Sequence, residues 1–431
     1  MKVIIIGCGA AGATAAQFAR KNDRDAEIKI FEKGVYPEYS KCALPFVVSG
    51  ELSPESIIEF SEDWFRKADI DLHLNTPVSA IDFENKVIET SDGKEEYDSL
   101  IIATGASPFS PVKTEGKTYF LRNMDDAIAI KKEAKNADSA IIIGAGLIGL
   151  EAAEALVKRG IDVTVVEFLP EILLTMVDDD VAKIVRGKIE EKVKFLLSNR
   201  VTEIRDKGNH MEVTASDEHG KKSILQGDFV IIATGNRSNV QLTKRLVGEK
   251  GIAVDERCET SIKRVYAAGD CTQYRDILGN IIPVGLGSVA VRQGKVAGAN
   301  AVGGDEKLMP LVNARTTKIF GIEIAAVGPL KRSISFKPVI GKFRGKALPE
   351  YMGDMGENIF IKVYADSNGK IIGAQAAGHE AAQRINKFAL AIHYGLTLER
   401  FLKAETAYAP AVAPVFDAST IACEIAKRKL K

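Results

Sequence analysis

Val3-Ile4-Ile5-Ile6-Gly7-Cys8-Gly9-Ala10-Ala11-Gly12 opens the chain as a short apolar run entering a glycine-rich turn, and the helical stretch Ala13 to Arg20 follows at once. The run fits a buried strand. Gly7 permits a tight turn, Gly9 lets the backbone approach a pyrophosphate, Gly12 lets helix and strand pack closely, and the helix N-terminus faces the anion. A second strand, Glu27 to Phe31, ends at Glu32, about 20 residues beyond the last glycine, where a carboxylate can hold a ribose hydroxyl pair. A glycine turn alone is a weak sign. Strand, turn, helix, strand and terminal acid in this order specify a dinucleotide-binding unit, with Ala10, Ala11 and Lys33 as flanking candidates.

The whole pattern recurs. Ala140-Ile141-Ile142-Ile143 leads into Gly144-Ala145-Gly146-Leu147-Ile148-Gly149, the helix Leu150 to Arg159, and the strand Ile161 to Val166 ending at Glu167. The spacing is too long for a solenoid repeat, so two dinucleotides are expected. Glu167 accepts a ribose 2′-hydroxyl and repels a 2′-phosphate, which favours NADH over NADPH at the second site. Arg159, at the far end of its helix, reads as a solvated surface charge.

Two similar segments, Leu100-Ile101-Ile102-Ala103-Thr104-Gly105-Ala106 and Val230-Ile231-Ile232-Ala233-Thr234-Gly235-Asn236, are short apolar strands ending in Thr-Gly turns. A third, Val265-Tyr266-Ala267-Ala268-Gly269-Asp270, ends in an acid able to bond a polyol chain. Just after it, Pro283-Val284-Gly285-Leu286-Gly287-Ser288 opens a helix through Ala290, Gln293 and Ala297, whose N-terminal end suits a reduced, anionic flavin.

The 431 residues suffice for two to four domains. The chain's 58 basic and 58 acidic residues cancel and aromatics are sparse at 7%, so nothing points to a nucleic-acid groove or a membrane-surface patch. The partners expected are small molecules. No apolar run reaches the roughly 18 residues of a spanning helix. Five cysteines (8, 42, 258, 271, 423) lack paired or metal-ligand spacing, which speaks against a disulfide framework and a metal site and for a reducing cytoplasm.

In this order of motifs the chain resembles the pyridine nucleotide-disulfide oxidoreductase family over essentially its full length. The resemblance implies an α/β fold with two Rossmann-like domains and a C-terminal α+β dimerisation domain. FAD would sit in the first domain (1-110 and 236-310), NAD(P)H in the second (111-235), and 311-431 would form a homodimer interface. Asp270 would contact the ribityl chain.

Tyr39-Ser40-Lys41-Cys42-Ala43-Leu44-Pro45 carries the expected chemistry. Most disulfide reductases of the family have two cysteines four residues apart, but here Glu38 and Phe46 stand four before and after Cys42. The run resembles the single-cysteine branch, which includes coenzyme A-disulfide reductases, NADH oxidases and peroxidases, and polysulfide reductases. Its Cys-Ala-Leu-Pro-Phe wording resembles the first group, with Lys41 and Glu38 departing from that group's Asn and Ser. Lys41, together with a helix start at Ala43, is expected to lower the Cys42 pKa from the roughly 8.5 of free cysteine. Electrons would pass from NADH through FAD to a Cys42 mixed disulfide. The other four cysteines read as small buried hydrophobes. Peroxidases of the branch place a histidine where Ala10 stands, so peroxide reduction loses its acid-base group. The remaining alternatives are an NADH oxidase making hydrogen peroxide at the flavin and a redox-sensing flavoprotein with a protein partner.

In the C-terminal segment strands are expected over Ile319 to Val327, Ser333 to Val339, Ile359 to Tyr364 and Ile371 to Ala376, then helices over Ala381 to Tyr394 and Pro414 to Lys429. By the resemblance, Tyr408 and Tyr351 match tyrosines that reach across the dimer into the partner's active site. Thr14, Arg20 and Lys21 lie on the first helix, near which related reductases bind the nucleotide phosphates of coenzyme A.

Overall fold

Both glycine turns lie at the carboxyl ends of the central strands of parallel five-stranded sheets in the computed structural model, which describes residues 1–355 and 357–430, Asp354 and Met355 by backbone alone. In the first sheet β1 (Lys2–Ile6), α1 (Ala10–Asn22) and β2 (Glu27–Phe31) form the opening unit. The strand order is Val265–Ala267, Ser99–Ile102, β1, β2, Asp71–His73, with Ile5 opposite Ile30 on one side and Ile101 on the other. After β2 a 3-10 turn, Lys41–Ala43, leads into the short helix α2 (Leu44–Ser49).

The second sheet repeats the plan with β3 (Ser139–Ile143), α3 (Leu147–Val157) and β4 (Asp162–Val166). Its order is Lys194–Leu196, β4, β3, Phe229–Ile232, Thr118–Phe120. Both central strands are buried along nearly their whole length, as parallel strands covered on both faces must be.

A later helix, α4 (Gly287–Ala301), returns to pack on α1. Cβ atoms on Gly294 and Gly298 would stand 2.4 and 2.1 Å from the carbonyl oxygens of Ala11 and Ala15. Only glycine permits that approach, which brings the start of α4 beside the first glycine turn.

The C-terminal segment is a five-stranded antiparallel sheet in the order Arg315–Ile319, Ile322–Val327, Ile371–Gly378, Asn358–Ala365, Val339–Lys346, with helices Ala381–His393 and Ala418–Lys427 against it. The expected strand Ile319 to Val327 is a hairpin instead, turning at Phe320 and Gly321, both at positive φ. Residues 331–333 form a 3-10 turn, and the strand begins at Val339, where Ser333 to Val339 had been expected. The last helix starts at Ala418 because the Asp417 side chain accepts the Ser419 N–H, so Pro414 lies outside it. No helix among the described residues is long and apolar enough to cross a membrane.

A buried charge cluster joins this sheet to the second unit. Lys362 is 2% exposed and pairs with Asp178 (2.7 Å) and with Asp180, which Lys342 also reaches at 2.6 Å. Tyr364 donates its hydroxyl to Asp178, whose backbone N–H donates to Gln375. Burial alone would raise both carboxyl pKa values, but the lysines and the phenol outweigh it and hold them below the usual range. Such depressed groups contribute stability above the unfolded pKa of about 3.9, which is lost as pH falls through the folded values. Lys362→Ala, which takes the buried ammonium from Asp178 and leaves Asp180 to Lys342 alone, should cost about 2 kcal/mol in denaturant unfolding at pH 7. That cost should shrink on acidification below about pH 4.

Candidate functional site

The two acids at the strand ends do the same local work. Glu32 accepts the backbone N–H groups of Cys8 and Gly34, both at 2.7 Å. Glu167 accepts those of Ala145 (2.6 Å) and Leu169 (2.8 Å). Each carboxylate therefore braces its own glycine turn from the neighbouring strand. A Cβ on Gly7 or Gly144 would meet the carbonyl of Ala103 or Ala233 at 2.3 or 2.5 Å, and one on Gly12 or Gly149 would meet the preceding turn at 1.9 or 2.0 Å. Above Gly146 there is no atom within 4 Å, and above Gly9 only the Lys41 Nζ at 3.9 Å. The crowded glycines are packing positions, and the open ones leave room for a phosphate at a helix start.

A recess of about 140 Å³ beside the first turn is lined by Gly9, Glu32, Lys33, Glu38, Tyr39 and Lys41, among others. Arg122 pairs with Asp270 at 2.8 Å and donates to the Ala106 carbonyl. Its guanidinium lies 3.8 Å from a Cβ placed on Gly105. Thr104 donates to the Asn239 carbonyl, closing the turn. Gly269 packs on Ala11, and the start of α4 at Gly287 is open, with no atom near its α-carbon face. Buried Gln293 accepts the Gly269 N–H while its own Nε2 has no partner among the described atoms. This open anion cradle, cationic rim and unpaired donor fit FAD. At the second site Gly144, Gly146, Leu147, Ile148, Gly149, Glu167 and Gly235 line the corresponding turn and strand ends, a frame that fits a nicotinamide nucleotide.

Cys42 is the one exposed cysteine; Cys8, Cys258, Cys271 and Cys423 are buried. Burial pushes those four thiols up, Cys271 to about 11 and Cys258 to about 12. Cys42 opens to solvent but is closely surrounded. Partial desolvation, followed by Glu151 and Asp270, raises its pKa against the pull of Arg122. The expected lowering by Lys41 is therefore corrected: the ammonium lies over Gly9, and desolvation with the nearby carboxylates prevails at the thiol. Burial and the nearby Arg122 lower the pKa of Lys41 itself. Glu38 is buried, and its carboxyl is pushed up to about 8, with Lys41 opposing.

α2, which follows the Cys42 turn, packs on the second unit. Leu44, Val47 and Val48 are buried in the same apolar cluster as Leu150, Ala153 and Leu156 of α3. Arg159 points its guanidinium at the Val48 and Ser49 carbonyls at 3.5 and 3.4 Å, while Lys158 pairs with Glu51. Arg159 is thus a cap for the end of α2, which corrects its reading as a solvated charge. Glu151 accepts the Thr317 hydroxyl at 2.6 Å. Sequence reasoning missed Arg122, which no motif marks, and Glu151. Its only signal was a pair of acids, Glu151 and Glu154, in an otherwise apolar helix.

Thr14 is buried against Gly294 in the α1–α4 contact. Arg20 spends its guanidinium on the carbonyls of Arg24, Ala68 and Asp69. Lys21 remains available: its Nζ and that of Lys295 lie 5.4 and 5.5 Å from the Phe18 ring. Tyr351 and Tyr408 are exposed with hydroxyls 3.5 Å apart, and among the described residues neither hydrogen-bonds the Cys42 group. Val412, Val415 and Phe416, a few residues beyond Tyr408 in sequence, are also exposed.

Residues 1–299 match the family model described as pyridine nucleotide-disulphide oxidoreductase, and 314–419 match its dimerisation domain. The chain is 37% identical to an NADH oxidase of Methanocaldococcus jannaschii, covering 100% of this chain and 99% of that protein. It is 31% identical to a CoA-dependent NAD(P)H sulfur oxidoreductase of Pyrococcus abyssi, over 99% and 98%. An NAD-dependent persulfide reductase from A. fulgidus superposes with TM-score 0.93 at 30% identity, covering 100% of this chain and 83% of the other.

One thiol should dominate the reaction of the native protein with iodoacetamide. Its rate should rise with a midpoint above the roughly 8.5 of free cysteine, and Glu151→Gln should lower that midpoint. Rate-against-pH profiles with mass mapping of Cys42 check both.

Proposed function

The chain belongs to the pyridine nucleotide-disulphide oxidoreductase family, and we propose that it is an FAD-containing NAD(P)H oxidoreductase that reduces coenzyme A disulfide or a coenzyme A persulfide or polysulfide through Cys42. The observation that carries this reading is a single exposed thiol beside the Arg122–Asp270 pair, with every other cysteine buried. The CoA-dependent sulfur oxidoreductase and the persulfide reductase among the relatives support it, and Phe18 flanked by Lys21 and Lys295 suits a nucleotide carrying phosphates.

FAD, held by the first glycine turn, Glu32, Lys41 and Asp270, would supply two-electron transfer from the nicotinamide to sulfur. The protein's own work is at the thiol. The Cys42 thiolate attacks one sulfur of the disulfide, the S–S bond breaks, and the other sulfur leaves as a thiolate. Two electrons from NAD(P)H then cleave the Cys42 mixed disulfide, so that one NAD(P)H, one proton and one disulfide give NAD(P)⁺ and two thiols. The raised Cys42 pKa makes the thiolate a stronger nucleophile but a scarcer species, so Arg122 matters for both. Tyr408 and Tyr351 would enter from a second copy, a phenol donating to the leaving sulfur. The exposed Val412, Val415 and Phe416 give that copy an apolar seat.

The second reading, an NADH oxidase making hydrogen peroxide, is favoured by the 37% identity to a protein of that name, and it needs no cysteine. Cys42→Ser separates the two. The disulfide-dependent turnover should fall at least about 1,000-fold while oxygen consumption persists; unchanged disulfide turnover would discard the thiol mechanism. A coenzyme A adduct on Cys42 in unreduced protein, found by intact mass, supports the first reading.

Lys41→Met should weaken FAD retention about tenfold, the scale of one lost charge-assisted contact. Flavin fluorescence released on dilution measures it without any turnover.

A further inference from the structure

The nicotinamide nucleotide site carries a cation that the strand-end acid conceals. Residues 167–169 run beside 196–199: the Glu167 N–H donates to the Leu196 carbonyl, Asn199 donates to Glu167 and Ser198 donates to Leu169. Ser198 turns the chain at φ +55°, two residues before Arg200 opens the strand Arg200–Asp206. The result is a cation held over an aromatic ring. The guanidinium carbon of Arg200 lies 4.3 Å from the centroid of the Phe168 ring, and that ring, next in sequence to Glu167, is 57% exposed. Among the described residues Arg200 forms no salt bridge, the neighbouring cations finding theirs in Asp162 and Glu203.

We propose that Phe168 and Arg200 form the 2′ side of the adenosine pocket, and that Arg200 takes a ribose 2′-phosphate, so that this chain uses NADPH as well as NADH. The proposal rests on the second unit binding a nicotinamide nucleotide. Three features support it. A contact with an aromatic face uses the charge of a guanidinium but not its N–H groups, which can then donate to a phosphate. An exposed aromatic beside the ribose acid offers a flat apolar surface at the adenine end of the site. Both Glu167 oxygens already accept backbone N–H groups, so its charge is partly spent bracing the turn and opposes the phosphate less than a free carboxylate would. Glu167 alone predicts exclusion of NADPH; Glu167 with Arg200 predicts mild discrimination.

Arg200→Ala and Arg200→Lys, made in the FAD-loaded protein, test it. Adenosine 2′,5′-bisphosphate and adenosine 5′-monophosphate are the probes, titrated by calorimetry and as competitors of NADH. Arg200→Ala should lower the affinity ratio of bisphosphate to monophosphate about tenfold, and the NADPH:NADH ratio of kcat/KM by a similar factor. Arg200→Lys, which keeps the charge and loses the planar guanidinium, should restore part of both. An unchanged ratio, or equal loss for the two probes, would overturn the assignment. Failure of both probes to compete with NADH in the unaltered protein would overturn the nucleotide reading of the second unit, and this proposal with it.

Discussion

A carboxylate reaching from one strand to hold the backbone of the next strand's glycine turn is the interaction on which both nucleotide units depend. Glu32 and Glu167 each fasten the residue after the first glycine and the residue two beyond themselves. The turn is so tight that Gly7, Gly12, Gly144 and Gly149 have no room for a side chain. With the acid seated, the helix start is fixed above the sheet edge, and the neighbouring open glycine can face a phosphate. The acid at each strand end is therefore a structural brace, and its charge is engaged before any ligand arrives.

The exposed cysteine, Cys42, stands where the two units meet. α2 follows it directly, is packed on α3 by Leu44, Val47 and Val48, and is capped at its far end by Arg159. The C-terminal sheet grips the same helix from the other side, Thr317 on Glu151 and the Phe320 N–H on Glu154 at 2.8 Å. Glu151 thus links the interface sheet to the electrostatics of the Cys42 thiol.

The glycine turns, their strands and their terminal acids were legible because local chemistry dictates them: apolar runs of fixed length, glycines at crowded carbonyls, an acid at a strand end. β2 and the strand on the other side of β1, Ser99–Ile102, fall where the apolar runs lie. The C-terminal strands were harder, since Phe320-Gly321 breaks a run that alternation alone reads as continuous. Long charged side chains were the least legible. Lys41 adjoins Cys42 in sequence but reaches back to Gly9, and Arg159 looks like a surface residue until α2 is placed beneath it. Such side chains span several ångströms, and their destinations are decided by tertiary packing that no short window contains.

The buried Lys362–Asp178–Asp180 cluster has a bearing on modularity. The second unit looks transferable, a duplicate with its own sheet and its own turn. The start of its helix Asp179–Ile189, with Asp178 before it, is nevertheless wired into the C-terminal sheet, while Glu151, Glu154 and Arg159 are wired into the hairpin and α2. A graft that moved the sheet and its glycine turn into another chain would part Asp178, Asp180, Glu151 and Glu154 from their partners, and would leave α2 behind without Arg159 at its end. The unit is a copy in plan, but it is not an interchangeable part.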